Sequence, residues 1–258
     1  MRKNDSTGEL LFAKINTAGK EETFRKLTHA IPEKNGKTLI TPNIHHLALL
    51  RNNMQLREAY LNGSYILADG WPVALLASIK AKKFVARHTG SDLITNILRF
   101  NPNKVFTVAL LGGFGNAAVL AGENLERNFE QLHVVYTNTC PANQLADLSF
   151  VQDIRNQLYS YSPDLVILGL GCPKQELFSE VFLRGLPVGL ICNLGASIDF
   201  FSGIQKRAPM LVRLIGFEWL FRLLNEPRRL FGRYALGIRH FPYYFFQFIR
   251  LTFQTKRK

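Results

Sequence analysis

Apolar runs that fit buried strands alternate with helical patterns over most of this chain. Candidate strands lie at residues 38–41, 65–68, 105–111, 133–138, 165–168 and 188–192, with a weaker run at 10–15. Candidate helices lie at 20–31, 44–61 with a break near 52–53, 72–81, 92–100, 116–129, 150–159 and 175–183. Strand–helix alternation with short connections is typical of a mostly parallel sheet covered by helices. The sequence therefore predicts an α/β fold.

The last part of the chain differs in composition from the rest. After Asp199 the strand pattern stops, and residues 209–253 fit two or three helices interrupted at Pro227 and Pro242. Residues 201–258 hold 12 Lys/Arg against 2 Asp/Glu, a net charge of +10, whereas the first 200 residues carry +3. We therefore predict a sheet domain at 1–204 and a basic, aromatic helical appendage at 205–258.

Three interpretations of this appendage are open: a nucleic-acid surface, a membrane-binding surface, or a helical cap with a solvated face. It holds 13 of the chain's 30 aromatic residues, and many of them cluster at 241–249. Clustered Phe and Tyr with flanking Arg suit the headgroup region of an anionic membrane better than a row of stacking bases. We expect membrane contact and no nucleic-acid partner.

Several protein classes are disfavoured by what the sequence lacks. No apolar run is long enough to span a bilayer, and the first residues lack the apolar core of a signal peptide, so we expect a cytoplasmic protein. Three scattered cysteines fit reduced thiols. No P-loop motif is present, and residues 112–115 fit the dinucleotide-binding fingerprint poorly. The absence of Asp-x-Asp removes the usual metal clamp on a nucleotide-sugar diphosphate, so we expect no metal or other cofactor.

Polar residues follow several predicted strands, at the edge where parallel sheets bind ligands. Asp69 is placed to act as a general base, or else to cap the next helix. Thr41 and Asn43 could present a hydroxyl and an amide to a ligand, although a plain helix cap fits them as well. Arg87 could meet a phosphate or lie on the surface. Asp199 could hold a ribose hydroxyl or a uracil edge, or cap a helix.

The stretch 169–176 is the strongest single indication of an active site. Two glycines and a proline between a strand and a helix predict a tight turn with free backbone N–H groups facing an anion. Lys174, Gln175 and Glu176 then add a cation, an amide and a carboxylate. His45 and His46 are adjacent, so they cannot share a helix face, and no third ligand stands at metal spacing. We interpret both as ordinary helix residues.

These motifs, in this order, resemble the WecG/TagA/CpsF glycosyltransferases (glycosyltransferase family 26). The matching stretches are 41–43, 67–70, 87–92, 111–113, 169–176, 195–199, 207–209, 216–222 and 226–229. The resemblance implies a Rossmann-like sheet with helices on both faces and a C-terminal helical, membrane-associating appendage. It also implies an inverting transferase that moves a hexose, such as an N-acetylmannosamine-type or glucose-type sugar, from a UDP-sugar to a polyprenyl-diphosphate-linked saccharide. Such enzymes build bacterial surface polysaccharides at the inner membrane face, and homo-oligomers occur among them.

The resemblance also implies roles for individual residues. It assigns Asp69 as the base, with Thr41, Arg87 and Gln175 beside it. Donor contacts are expected from Asn43, Gly112, Gly113, Gly171, Lys174, Glu176 and Asp199. Acceptor, diphosphate and membrane contacts are expected from Arg207, Arg222, Arg228 and Arg229. Trp71 and Pro72 depart from the family pattern, which usually has small residues or Ile/Val after the Asp-Gly pair. The alternatives are an NAD-type oxidoreductase using 112–115 and a non-catalytic basic adaptor.

Overall fold

The architecture is a single parallel sheet covered by helices, seen in a computed structural model that describes residues 14–214 and 216–254. The strands are β1 (Lys37–Ile40), β2 (Tyr65–Ile66), β3 (Phe106–Gly112), β4 (Leu132–Asn138), β5 (Leu165–Gly169) and β6 (Leu190–Asn193). They pair in the order β2-β1-β6-β5-β3-β4, and every pairing is parallel. The predicted α/β fold with a mostly parallel sheet is confirmed.

Helices fill the connections between strands. They are α1 (Lys20–Ala30), α2 (Ile44–Leu50), α3 (Met54–Asn62), α4 (Trp71–Ala81), α5 (Gly90–Arg99), α6 (Ala117–Asn128), α7 (Leu148–Tyr161), α8 (Lys174–Phe178) and α9 (Ser197–Ser202). A π-helical turn, Ser179–Leu183, continues α8. The predicted break near 52–53 is confirmed, because Asn53 caps α3 by accepting a hydrogen bond from the Leu56 N–H at 2.8 Å. The weak strand candidate at 10–15 lies almost wholly outside the described residues.

The central strands carry the core. β3, β5 and β6 are buried along nearly their whole length, as expected for strands that helices cover on both faces. One apolar cluster joins these strands to α1, α5 and α6, and another joins them to α7. Because β1, β6, β5 and β3 are successive neighbours, their carboxyl ends form one continuous edge.

The C-terminal region is helical, as predicted, with α10 (Met210–Leu214), α11 (Glu218–Asn225) and α12 (Pro227–Gln254). Pro227 begins α12, but the predicted interruption at Pro242 is wrong, because α12 continues through it. Packing on both sides of the proline explains this: Phe241 contacts Trp71 edge-on at 6.1 Å between ring centroids, and the Tyr244 hydroxyl donates to the Leu47 carbonyl at 2.8 Å. None of the helices in the described ranges is both long and apolar enough to cross a membrane. The boundary between 204 and 205 stays a prediction.

Candidate active site

Two adjoining cavities lie beyond the carboxyl ends of the strands. The first has a volume of about 370 Å³ and is bordered by the residues that follow β1, β3, β5 and β6. The second has a volume of about 250 Å³ and lies between α4, α9 and α11. The side chains or backbone of Asn43, Asp69, Leu194, Ala196, Arg222 and Tyr234 line both. Asp69 therefore stands where the two cavities meet.

Asp69 is held by its backbone, and within the described residues its carboxyl group takes part in no hydrogen bond or ion pair. Its N–H donates to the Pro42 carbonyl at 2.9 Å, which fixes it beside the end of β1. The helix-cap interpretation is wrong, because Gly70 is the cap of α4 and no side chain caps it. Burial, with a smaller contribution from Glu218, raises the pKa of Asp69 to about 6. A carboxylate with a raised pKa in a cavity has the properties of a general base.

Thr41 and Asn43 connect the site to the sheet. The Thr41 hydroxyl donates to the Asn193 carbonyl at 3.1 Å, so it bridges β1 and β6. The helix-cap interpretation of Asn43 is confirmed: its side-chain oxygen accepts from the His45 N–H at 3.0 Å, and His46 Nδ1 accepts from the Asn43 N–H at 3.2 Å. Both Thr41 and Asn43 nevertheless line the first cavity. A cap residue can thus also face a ligand.

Gln175 ties two glycine turns together. Its Oε1 accepts from the Gly171 N–H at 3.2 Å and from the Gly195 N–H at 3.0 Å, and its Nε2 donates to Glu176 Oε1 at 2.8 Å. The expectation that the turn leaves its N–H groups free for an anion is therefore wrong for Gly171. Pro173 also precedes α8 rather than beginning it. Gln175 positions the turns after β5 and β6, and its direct role in catalysis stays a prediction.

Glu176 lies beneath the first cavity and does not line it. It is fully buried, and its Oε1 is 3.3 Å from His46 Nε2. Burial alone would raise the pKa of Glu176, but the hydrogen bond and charge of His46 outweigh it and lower the pKa. In this structure Glu176 is not placed to contact a donor.

The sequence-based conclusion that His46 has no partners at metal spacing is wrong. Ligand atoms of His46, Cys172 and Glu176 lie within 4.8 Å of one another. The sequence could not show this, because His46 and Glu176 stand 130 residues apart. Two of the three residues, His46 and Glu176, already form a hydrogen-bonded pair. Burial raises the pKa of the third, the Cys172 thiol, so we expect this thiol to be protonated.

The glycine turn after β3 is closed by Asp199. The Asp199 Oδ1 accepts from the Phe114 N–H at 2.8 Å. Gly113 has φ +88°, and a Cβ there would come within 2.7 Å of the Ala117 Cβ, so only glycine fits. Asp199 lies inside α9, whose cap is Ala196, so the cap interpretation is wrong. Asp199, Gly113 and Phe114 all line the first cavity, whereas Gly112 does not.

Cationic side chains gather at the first cavity. Those that line it are Lys174, Arg222, Arg229 and Arg233. Arg229 donates to Glu226 Oε2 at 2.6 Å, but in the described part of the chain no carboxylate pairs with Arg222 or Arg233. Burial, Arg229 and Arg222 lower the pKa of Arg233. Arg222 and Arg233, which lack a carboxylate partner among the described residues, therefore indicate a site for an anion.

The other predicted cations lie away from this cavity. Arg207 pairs with Asp92 at 2.7 Å and with Glu218 at 3.4 Å, and Arg228 is exposed and lines neither cavity. Arg87 lines the second cavity and donates to the Arg213 carbonyl at 2.8 Å. Sequence reasoning missed Arg233. It lies four residues after Arg229 on α12, a spacing that places both on one helix face.

A parallel sheet with an acid where two cavities meet, and with Arg222 lining both cavities, is the arrangement of an enzyme active site. The chain matches the family described as "Glycosyl transferase WecG/TagA/CpsF family" over residues 9–258. It therefore belongs to this family of glycosyltransferases, and the resemblance seen in the sequence is confirmed. It is also similar to an N-acetylglucosaminyldiphosphoundecaprenol N-acetyl-beta-D-mannosaminyltransferase from Bacillus spizizenii, with 26% identity over 203 residues, covering 78% of this chain and 76% of the relative.

Proposed function

We propose that the chain transfers a hexose, of the N-acetylmannosamine or glucose type, from a UDP-sugar to a polyprenyl-diphosphate-linked saccharide, with inversion at the anomeric carbon. The name of the Bacillus spizizenii relative describes transfer of N-acetylmannosamine to a diphosphoundecaprenol-linked N-acetylglucosamine, which supports a lipid-linked acceptor. The observation that carries the proposal is the position of Asp69 at the junction of two cavities. A transferase needs such a junction, because donor and acceptor must meet at one base.

The first cavity suits the UDP part of the donor. Arg222, Arg229, Arg233 and Lys174 are the groups that would stabilise a diphosphate, both when bound and when it leaves. These cations would take the place of a divalent metal, so we propose that turnover needs none. The glycine turns at Gly113 and Gly195 let the backbone approach the ligand closely, and Asp199 lies beside them.

The second cavity suits the acceptor. An acceptor hydroxyl placed there reaches Asp69, which takes its proton. The oxygen attacks the anomeric carbon of the donor from the face opposite to UDP, and the bond from that carbon to the diphosphate oxygen breaks. UDP leaves with the bonding electrons, and Asp69 later releases the proton to solvent. A single displacement of this kind inverts the configuration.

We also propose that the enzyme acts as a peripheral protein on the inner face of the plasma membrane. The C-terminal helices expose Leu211, Leu214, Leu224, Phe231 and Phe246. Exposed apolar side chains on a basic segment fit the interface of an anionic bilayer. Co-sedimentation with vesicles of anionic and neutral lipid tests this, and equal retention at all lipid compositions and salt concentrations would contradict it.

The proposal is tested by replacing Asp69 with Asn, which keeps the shape of the side chain but removes the base. We expect turnover to fall at least about a hundredfold, in line with the usual contribution of a general base. The affinity for UDP, measured by calorimetry, should stay nearly unchanged. Asp92→Asn is the matched control, because Asp92 lines neither cavity. Near-normal turnover of Asp69→Asn would remove Asp69 as the base.

A further inference from the structure

The second cavity has an aromatic lining that the transfer reaction itself does not require. Trp71, Phe200 and Trp219 line it together with Ile238. Trp71 is 48% exposed, although large aromatic side chains are usually covered. Each indole is held by an edge-on neighbour: Trp71 by Phe241 at 6.1 Å and Trp219 by Tyr234 at 5.8 Å between ring centroids. The cavity thus presents aromatic surface on side chains that are fixed in place.

Charged groups stand among these aromatic rings. Asp69, Arg87, Glu218 and Arg222 also line the cavity. Gly216 has φ +83°, and a Cβ added there would lie 3.8 Å from Trp71 Cδ1 and 3.9 Å from Arg87 Nη1. The indole and the guanidinium therefore lie under the same turn. An isoprenoid tail bound here would bury these charges against hydrocarbon at a high cost. A sugar ring, with apolar C–H faces and a polar rim, satisfies both kinds of lining.

Resting on the proposed transferase function, we propose that this cavity binds the terminal sugar of the acceptor, and that Trp71 contacts the apolar face of that ring and sets acceptor selectivity. Trp71 stands two residues after Asp69 and begins α4, and Pro72 fixes the first turn of that helix. The backbone of Trp71 is therefore fixed close to the base, and Phe241 contacts its indole. A sugar seated against it presents a hydroxyl from its rim to Asp69, and a sugar of different shape presents it elsewhere.

The kinetic test uses Trp71→Ala and Trp71→Phe with saturating UDP-sugar and a lipid-diphosphate-linked N-acetylglucosamine acceptor. Trp71→Ala should raise the acceptor KM about tenfold, which corresponds to about 1.4 kcal/mol, and leave the donor KM unchanged. Trp71→Phe should retain most of the affinity. Phe84→Ala is the control, because Phe84 is 86% exposed and lines neither cavity. An unchanged acceptor KM in Trp71→Ala would overturn the proposal.

Two acceptors that differ only in isoprenoid length separate sugar binding from lipid binding. If Trp71 contacts the sugar, the rise in KM is the same for both acceptors. A rise seen only with the longer acceptor would assign Trp71 to the lipid and overturn the proposal.

A binding test does not depend on turnover. The chain has only 2 tryptophans, Trp71 and Trp219, and both line this cavity. Titration of the full chain with N-acetylglucosamine 1-phosphate should give a saturable change in tryptophan fluorescence, and this change should persist in the inactive Asp69→Asn variant. In Trp71→Ala, where Trp219 alone reports binding, the dissociation constant should be higher than in the wild type. Saturable binding without any transferase activity would reject the proposed function but keep the sugar site. No change in fluorescence up to the solubility limit of the sugar would reject the site.

Discussion

Asp69→Asn should stabilise the protein at the same time as it abolishes turnover. Burial raises the pKa of Asp69 from 3.8 to about 6, a difference of about 2 units. At 1.36 kcal/mol per unit, the ionised side chain costs the folded state up to about 3 kcal/mol relative to the unfolded chain. Because the folded-state pKa is raised, this cost is absent below the unfolded pKa of 3.8, grows as the pH rises from there to about 6, and is nearly constant above that. Asn carries no charge and avoids the cost.

Urea denaturation of wild type and variant between about pH 4 and pH 8 measures this effect. The free energy of unfolding of Asp69→Asn should exceed that of wild type at pH 8, and the difference should shrink as the pH falls from about 6 towards the unfolded pKa of 3.8. Asp92→Asn should behave in the opposite way. Burial disfavours its charge, but hydrogen bonds from Arg207 and Thr89 outweigh this and lower the pKa of Asp92. Removing its charge should therefore reduce stability at pH 8.

Equal or lower stability of Asp69→Asn at pH 8 would show that the Asp69 charge does not destabilise the folded protein. It would mean that Arg87, Arg222 and His46 compensate the Asp69 charge in full, and that its pKa is not raised. A group that destabilises the fold and lies at the junction of two cavities is kept for its chemistry rather than for packing.

Two further variants probe the surroundings of Asp69. His46→Leu removes the His46 contact and leaves the buried Glu176 carboxylate with the hydrogen bond from Gln175, so it should lower the free energy of unfolding by about 3–5 kcal/mol in urea titrations. A loss below about 1 kcal/mol would show that Glu176 is not charged. Bound zinc found by elemental analysis of the wild type would show a metal site in place of the His46–Glu176 hydrogen bond. Arg233→Gln should weaken UDP binding by roughly tenfold or more in calorimetry. Arg228→Gln, on the same helix, should leave the affinity for UDP unchanged. Equal effects of the two substitutions would contradict a diphosphate site at Arg233.

The fold was predictable because local patterns and the global sheet agree. Continuous apolar runs predicted all six strands of the described residues, and the strand ends moved by at most two residues, as at β2, which ends at Ile66. The predicted interruption at Pro242 was wrong because of tertiary contacts. A lone helix would be interrupted there, but contacts of Phe241 and Tyr244 with α4 and α2 hold the turns on either side.

The sequence predicted where the residues of the site lie better than it predicted which side chains they contact. The strand-end rule located Thr41, Asp69 and Gly171 at one edge of the sheet, where all three line the first cavity. It could not show that Gln175 uses its polar atoms within the protein, or that Glu176 lies below the cavity against His46. Those outcomes depend on side-chain contacts between segments far apart in sequence, which no local pattern records.

In the proposed reaction, a sugar leaves its UDP-sugar donor only when the acceptor is present. The direct measurement is UDP release from a panel of UDP-sugars in the presence of a short-chain polyprenyl-diphosphate-linked N-acetylglucosamine and EDTA. We expect that one donor releases UDP, that release requires the acceptor, and that EDTA does not reduce it. No release from any donor, together with no binding of UDP by calorimetry, would rule out transfer from a UDP-sugar.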